Sequence, residues 1–194
     1  YTPLISSCTK EYDFEEAVSE VLDTVKVFGD EYLNTLKNGI EKEKWVDVYP
    51  TKGKRGGAYS AGCYDTQPYI LLNYTGKLDD VSTLAHEAGH SMHSYFSRGA
   101  NTPQESDYTI FVAEVASTVN ELLFCHRKLR ESKSNEEKLA IMNQLMETYK
   151  GTLYRQTMFA EFEREMHALC EAGETLTKEL LCDVYYKIVT KYFG

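Results

Sequence analysis

The sequence predicts an α+β protein that is mostly helical and contains one small sheet. Apolar residues at helical spacing follow Asp13 and continue to Gly39, which indicates a helix near the start of the chain. Three short segments that alternate or run apolar come next and predict strands: 45–50, 57–62 and 69–74. Helical patterns then return over four longer ranges: 80–98, 108–131, 135–171 and 177–192. The small sheet is therefore expected beside the first of these later helices.

The composition is that of one ordinary globular domain, which we expect to span residues 1–194. Hydrophobic residues make up 42% of the chain and charged residues 26%. The net charge of −9 argues against nucleic acid or an anionic membrane as a partner. No apolar run approaches the ~20 residues that span a bilayer. Five cysteines without C-x-x-C spacing predict free thiols in a reducing compartment, the cytoplasm.

A cluster of histidines marks the helix after the sheet. Three of the five histidines lie in the segment L-A-H-E-A-G-H-S-M-H, from Leu84 to His93. His86 and His90 are four positions apart, so they share one helix face, ~6 Å apart along the axis, and can reach one Zn²⁺ ion. Glu87 is rotated by about 100° and is placed to take a proton from a metal-activated water, as in the H-E-x-x-H motif. A chance cluster on a solvated or packed face is the alternative.

A zinc site of this kind needs one more protein ligand. Glu114 is the only charged residue between Asp107 and Glu121, in a helix that otherwise looks buried. Because a buried carboxylate is costly unless it is paired or binds a metal, we predict Glu114 as the third ligand. Small residues would let the two helices approach closely: Ala113, Ala116 and Ser117 on one, Ala85 and Gly89 on the other.

Two further residues are predicted to support the site without binding the ion. His93 shares the histidine face but lies ~10.5 Å along the axis from His86, so packing or indirect support of the site is expected. Glu121 lies two turns after Glu114 and is expected to orient a ligand histidine. A solvated glutamate at the helix edge is the alternative for Glu121.

Five segments occur in the same order as in a known family. They are W-V-D-V-Y from Trp45, K-G-K-R-G-G-A-Y-S from Lys52, H-E-A-G-H-S-M-H-S from His86, F-V-A-E-V-A-S-T from Phe111 and Y-R-Q-T-M-F-A-E-F from Tyr154. Together they resemble the oligoendopeptidase F group of the thimet-oligopeptidase-like zinc metallopeptidases. The resemblance runs from about Trp45 to Gly194.

This resemblance implies a zincin core of the gluzincin type that hydrolyses short peptides in the cytoplasm. It places one zinc ion per chain on His86, His90 and Glu114, with Glu87 as the general base. Members of the family are considerably longer. We therefore expect a catalytic-core fragment that lacks the N-terminal half and the C-terminal segment of the family. The surface left by those parts is expected to promote self-association.

Substrate binding is expected at the second strand segment. Peptides commonly add as a strand to an exposed sheet edge, and Gly57 and Ala58 would permit close backbone approach while Tyr59 offers a hydroxyl. A plain turn-rich strand is the alternative.

Three functions remain open on the sequence. A zinc metalloendopeptidase core leads, a truncated zinc-binding module with little activity is the second, and a helical interaction fragment with packed histidines is the third.

Overall fold

A computed structural model describes residues 10–194, so Cys8 lies outside the described residues. Seven α-helices occur in these residues: α1 Phe14–Val25, α2 Asp30–Glu41, α3 Leu78–Ala100, α4 Ile110–Glu131, α5 Asn135–Tyr149, α6 Arg155–Glu171 and α7 Lys178–Phe193. Three strands lie between α2 and α3: β1 Val46–Asp47, β2 Tyr59–Ala61 and β3 Tyr69–Leu71. The predicted order of elements is confirmed.

The first helical segment is two helices, so the prediction of one helix from Asp13 to Gly39 is wrong. The start is as predicted, because the Asp13 side chain accepts a hydrogen bond from the backbone N–H of Glu16 at 2.7 Å and caps α1. The break falls at Gly29, whose φ of 92° is incompatible with a continuing helix. A short 3₁₀ turn over Lys26–Phe28 precedes it, and α2 begins at the next residue.

The sheet has the strand order β1–β3–β2, with β1 parallel and β2 antiparallel to the central strand β3. Its strands are shorter than the predicted segments, although the backbone N–H of Tyr74 still bonds the carbonyl of Val48 beyond the strand ends. Ile70 and Trp45 are buried. At Gly39 in α2, an added Cβ would lie 2.4 Å from the Trp45 ring, so glycine lets this indole pack on the helix.

The chain passes from β3 into α3 through a fixed turn. The Asp80 carboxylate accepts hydrogen bonds from the backbone N–H groups of Thr75 and Lys77, at 3.0 and 2.9 Å. These bonds satisfy donors at the helix start and place negative charge there. The histidine-bearing helix therefore begins at a defined point beside the sheet.

Helices α3 and α4 pack closely at Gly89. A Cβ added to Gly89 would lie 2.7 Å from both the carbonyl oxygen of Ala116 and the Cα of Ser117. The predicted approach of small residues between these two helices is confirmed. Only glycine fits at position 89, because any larger side chain would require the backbone of one helix to shift.

The chain divides into two compact units, one ending at Met142 and one spanning Asn143–Gly194. The predicted helix over 135–171 is continuous but contains a π-helical turn over Lys150–Tyr154. In the second unit, the rings of Phe162 and Tyr185 meet edge to face 5.1 Å apart. Among residues 10–194, no helix is both long and apolar enough to cross a membrane.

Candidate metal centre

The three predicted ligands converge in the first unit. One ligand atom each from His86, His90 and Glu114 lies within 4.8 Å of the others. Oε2 of Glu114 is 3.3 Å from Nε2 of His86 and 3.3 Å from Nε2 of His90. The two imidazole rings stand 4.9 Å apart at an interplanar angle of 79°. Two imidazole nitrogens and one carboxylate oxygen facing one point form a donor set that zinc accepts.

Each histidine is oriented by a second contact from α4. Nδ1 of His86 lies 3.2 Å from Oε2 of Glu121, whose other oxygen accepts a hydrogen bond from Ser82. His90 donates a hydrogen bond to the backbone carbonyl of Ala113. Such contacts fix the ring orientation of a ligand histidine and select the nitrogen that faces the metal. Glu121 is therefore in contact with one of the two candidate ligand histidines, His86.

The two histidines have opposite pKa shifts. Burial lowers the pKa of His86, but the hydrogen bond to Glu121 and the negative charge of Glu87 raise it more, so its pKa lies above the usual value. Burial is the main reason that the pKa of His90 lies below the usual value. A metal must displace any proton on the ligand nitrogens.

Glu87 is buried next to this group. Its carboxylate accepts a hydrogen bond from the backbone N–H of Ser60 in β2, while its Oε2 is buried and has no hydrogen-bond partner. Burial is the main reason that the pKa of Glu87 is raised. A buried carboxylate oxygen without a partner is rare and costly, so this atom marks a position where a ligand or water is expected.

One premise of the sequence argument is wrong. Glu114 was expected to be buried, yet its side chain is 57% exposed. Its apolar helix neighbours Phe111 and Val115 are exposed as well. An apolar pattern predicts burial only where another element covers it, and no element of the first unit covers this side of α4.

His93 is not brought to the three ligand atoms. Its ring stacks on Tyr108, with centroids 3.7 Å apart, and its buried Nδ1 has no hydrogen-bond partner. Burial lowers its pKa. The hydroxyl of Tyr108 lies 2.8 Å from Oγ of Ser94. The geometry at His93 is thus a packing contact that ties the segment before α4 to α3.

The predicted substrate segment lies at and before an edge strand. Gly57 and Ala58 line a cavity of about 290 Å³ that also includes Asn73, and none of the three candidate ligands lines it. The side-chain amide of Asn73 donates to the carbonyl of Gly57 at 2.8 Å. Tyr59 begins β2 and is exposed. Among the described strands, none pairs with the outer edge of β2.

The hydrogen bonds of two buried polar residues of α4 were not predicted, since the sequence argument used Ser117 only as a small packing residue and did not consider Asn120. The hydroxyl of Ser117 lies 2.9 Å from Oε2 of Glu114. The amide of Asn120 donates to the carbonyl of Ala85 at 3.2 Å. Ser117 lies three residues after Glu114, so helical spacing is the signal that could have indicated its contact with that side chain. No comparable signal marks Asn120.

Comparison with known proteins gives one consistent result. Residues 9–194 match Peptidase family M3. The chain is 47% identical over its whole length to Oligopeptidase PepF of Bacillus subtilis and 42% identical to the chromosomal Oligoendopeptidase F of Lactococcus lactis subsp. cremoris. It covers 29% and 32% of those proteins, so it spans about a third of the length of the curated relatives it matches.

A solved structure agrees with these sequence matches. The crystal structure of a peptidase from Chlamydophila abortus superposes with a TM-score of 0.76 at 48% identity, over 95% of this chain and 31% of that one. The fold is thus the mostly helical α+β zincin core that the sequence predicts. The chain belongs to Peptidase family M3, and the predicted resemblance to oligoendopeptidase F is confirmed.

Proposed function

We propose that this chain is the catalytic core of a zinc metalloendopeptidase that hydrolyses short peptides. The observation that carries the proposal is the meeting of His86, His90 and Glu114 around one point. Family membership and the names of the relatives, an oligopeptidase and an oligoendopeptidase, support peptides as the substrates. The single core domain that we expect over 1–194 is part of this proposal.

The residues present fit a zinc ion, one per chain. Two neutral imidazoles and one carboxylate leave a fourth position open, which is the pattern of catalytic rather than structural zinc. Bound there, zinc supplies Lewis-acid chemistry and makes water a nucleophile near neutral pH. The contact of Glu121 with His86 supports orientation of that ligand.

Glu87 acts as the general base in this proposal. Its raised pKa makes the carboxylate a better proton acceptor than an exposed glutamate. The backbone N–H of Ser60 holds one side of the carboxylate, and the unpartnered Oε2 is the atom that takes the proton. The hydroxyl of Ser60 lies 2.8 Å from that of Ser91, which ties β2 to α3 at the same place.

The peptide binds along β2 in this proposal. A strand added to its outer edge would lie next to Glu87, because Ser60 in β2 touches that carboxylate. Tyr59 begins β2, and Gly57 and Ala58 lead into it, where small residues allow close approach of the peptide backbone. We place the activity in the cytoplasm, as the cysteine spacing predicts.

A second candidate function is a zinc-binding module with little activity of its own. The observation that favours it is the length of the relatives, of which this chain spans about a third. One preorganised oxyanion donor is worth ~10²–10³ in rate, so a zinc site without such a donor would bind the ion and turn over slowly.

Two substitutions test the division of roles. Glu87→Gln should keep zinc, measured by elemental analysis, and lower hydrolysis of a quenched-fluorescence peptide ~10²–10⁴-fold. Glu114→Gln should instead weaken zinc binding, since a neutral amide oxygen is a poorer ligand. Equal zinc loss in both variants contradicts the proposed roles. The second candidate is supported if the unchanged chain binds one zinc ion but does not hydrolyse the peptide. In that case, the effect of replacing the general base is measured at the matching glutamate of a full-length relative.

A further inference from the structure

The third ligand is the least constrained of the three. The side chains of His86 and His90 are 23% and 19% exposed, whereas that of Glu114 is 57% exposed. A glutamate has three rotatable side-chain torsions, and ordering them costs conformational entropy. The carboxylate nevertheless points at the two histidines, and a further contact that holds it there would lower the entropic cost of metal binding.

Ser117 supplies this contact. Its hydroxyl, one turn after Glu114 on α4, lies 2.9 Å from Oε2 and 3.1 Å from the backbone carbonyl oxygen of Glu114. Oε2 is the same atom that lies 3.3 Å from Nε2 of both histidines. A hydroxyl that bonds a charged oxygen forms one of the stronger hydrogen bonds in proteins.

The serine itself sits at a fixed point. Ser117 is fully buried, and its Cα lies where α4 touches α3, at the position of Gly89. Gly89 directly precedes His90, so the hydroxyl is anchored beside the histidine helix. Its single side-chain torsion costs little entropy to order compared with the three of Glu114.

We propose that Ser117 is a positioning residue of the metal centre, whose hydroxyl holds Oε2 of Glu114 toward His86 and His90 before a metal binds. The inference rests on the proposed metal site and adds a residue to it. Loss of such a supporting hydrogen bond typically costs 10–100-fold in metal affinity.

Thr118 provides a matched control. Its hydroxyl donates to the same backbone carbonyl of Glu114, at 2.5 Å, but not to the carboxylate. Thr118→Val removes that bond at nearly constant volume, whereas Ser117→Ala removes the bond to the carboxylate as well. A difference between the two variants isolates the carboxylate contact.

The experiment is a Zn²⁺ titration of the full chain against a competing chromophoric chelator. Ser117→Ala should raise the Kd about 10–100-fold, and Thr118→Val should leave it close to the unchanged protein. The melting temperature of the metal-free protein should be similar in both variants. In a Glu114→Ala background, Ser117→Ala should have no further effect, because its partner is gone.

Two results would overturn the inference: an unchanged Kd in Ser117→Ala, or an equal increase with and without Glu114. A His86→Ala variant separates this failure from failure of the metal site. If His86→Ala abolishes zinc binding while Ser117→Ala leaves it unchanged, the site stands and only the role of Ser117 is wrong. If His86→Ala binds zinc normally, the proposed function is wrong as well.

Discussion

Helices α3 and α4 contribute to one site, but they lie in opposite environments. They have similar lengths, 23 and 22 residues. Helix α3 is buried along most of its middle, including Leu84, Ala88 and Met92. Helix α4 buries only part of its surface and exposes a row of apolar side chains: Ile110, Phe111, Val112, Val115 and Val119.

The difference shows what the geometry of the site depends on. The side chain of Glu114 reaches the histidines although it is exposed. Its backbone position is determined by the packing of α4 against α3. Gly89 fixes the separation of the helices, and the contact of Glu121 with His86 fixes their register.

Two phenylalanines on α4 test this contrast most strongly. Phe124 is 1% exposed and Phe111 is 89% exposed. Phe124→Ala should lower the free energy of unfolding by about 3–5 kcal/mol, the usual cost of a large buried cavity. Phe111→Ala should change it by less than ~0.5 kcal/mol. Urea denaturation of both variants measures the difference, and equal effects would mean that the outer face of α4 is packed in solution.

A charged cluster ties α4 to α1 and gives the second test. Glu20 on α1 bonds Arg127 and, at 2.9 Å, Lys128. Burial raises the pKa of Glu20, but the hydrogen bonds from Lys128 and Arg127 lower it more, so its pKa lies below the usual value. Glu20→Gln should cost about 1.5–3 kcal/mol near neutral pH, whereas Glu11→Gln at an exposed position should cost little.

The same cluster predicts a direction for the pH dependence. Because the folded-state pKa of Glu20 is lower than the unfolded one, its stabilisation is present above the unfolded pKa. It is lost as the pH falls through the folded pKa. The unchanged protein should therefore lose stability relative to Glu20→Gln on acidification. A difference between the two proteins that stays constant with pH would contradict the assigned ionisation.

The contact between the two helices gives the third test. Gly89→Ala places a Cβ against backbone atoms of α4 and should cost about 1–3 kcal/mol, because the helices must shift. It should also weaken zinc binding. Gly99, on the same helix, has open space at its Cβ position, so Gly99→Ala should stabilise the protein by up to ~1 kcal/mol. A neutral Gly89→Ala would show that the helix separation is adjustable.

Local signals in the sequence were sufficient for much of this structure. The cap at Asp13 starts α1, and four-residue spacing places His86 and His90 on one face. The break at Gly29 was missed because the apolar spacing continues across it. The pattern of apolar residues does not show that this glycine has a positive φ. The position of Glu114 was predicted on a burial argument that the structure contradicts, because cover by other elements is not a local property.

The contact of Ser117 with Glu114 was missed for a related reason. A serine in a helix usually bonds its own backbone, and the sequence does not show when a carboxylate becomes its second acceptor. In contrast, the role of Gly89 was predictable, since a glycine inside a helix costs about 1 kcal/mol against alanine and so indicates a close approach.

Zinc stoichiometry in the purified chain tests the central claim most directly. Elemental analysis after dialysis against trace zinc should give one zinc ion per chain for the unchanged protein. His86→Ala should give close to none, because two ligands do not hold the ion as tightly as three. His126→Ala, on α4 and outside the group of three ligands, should retain the ion. An unchanged stoichiometry in His86→Ala would contradict the assignment of the metal centre to α3 and α4.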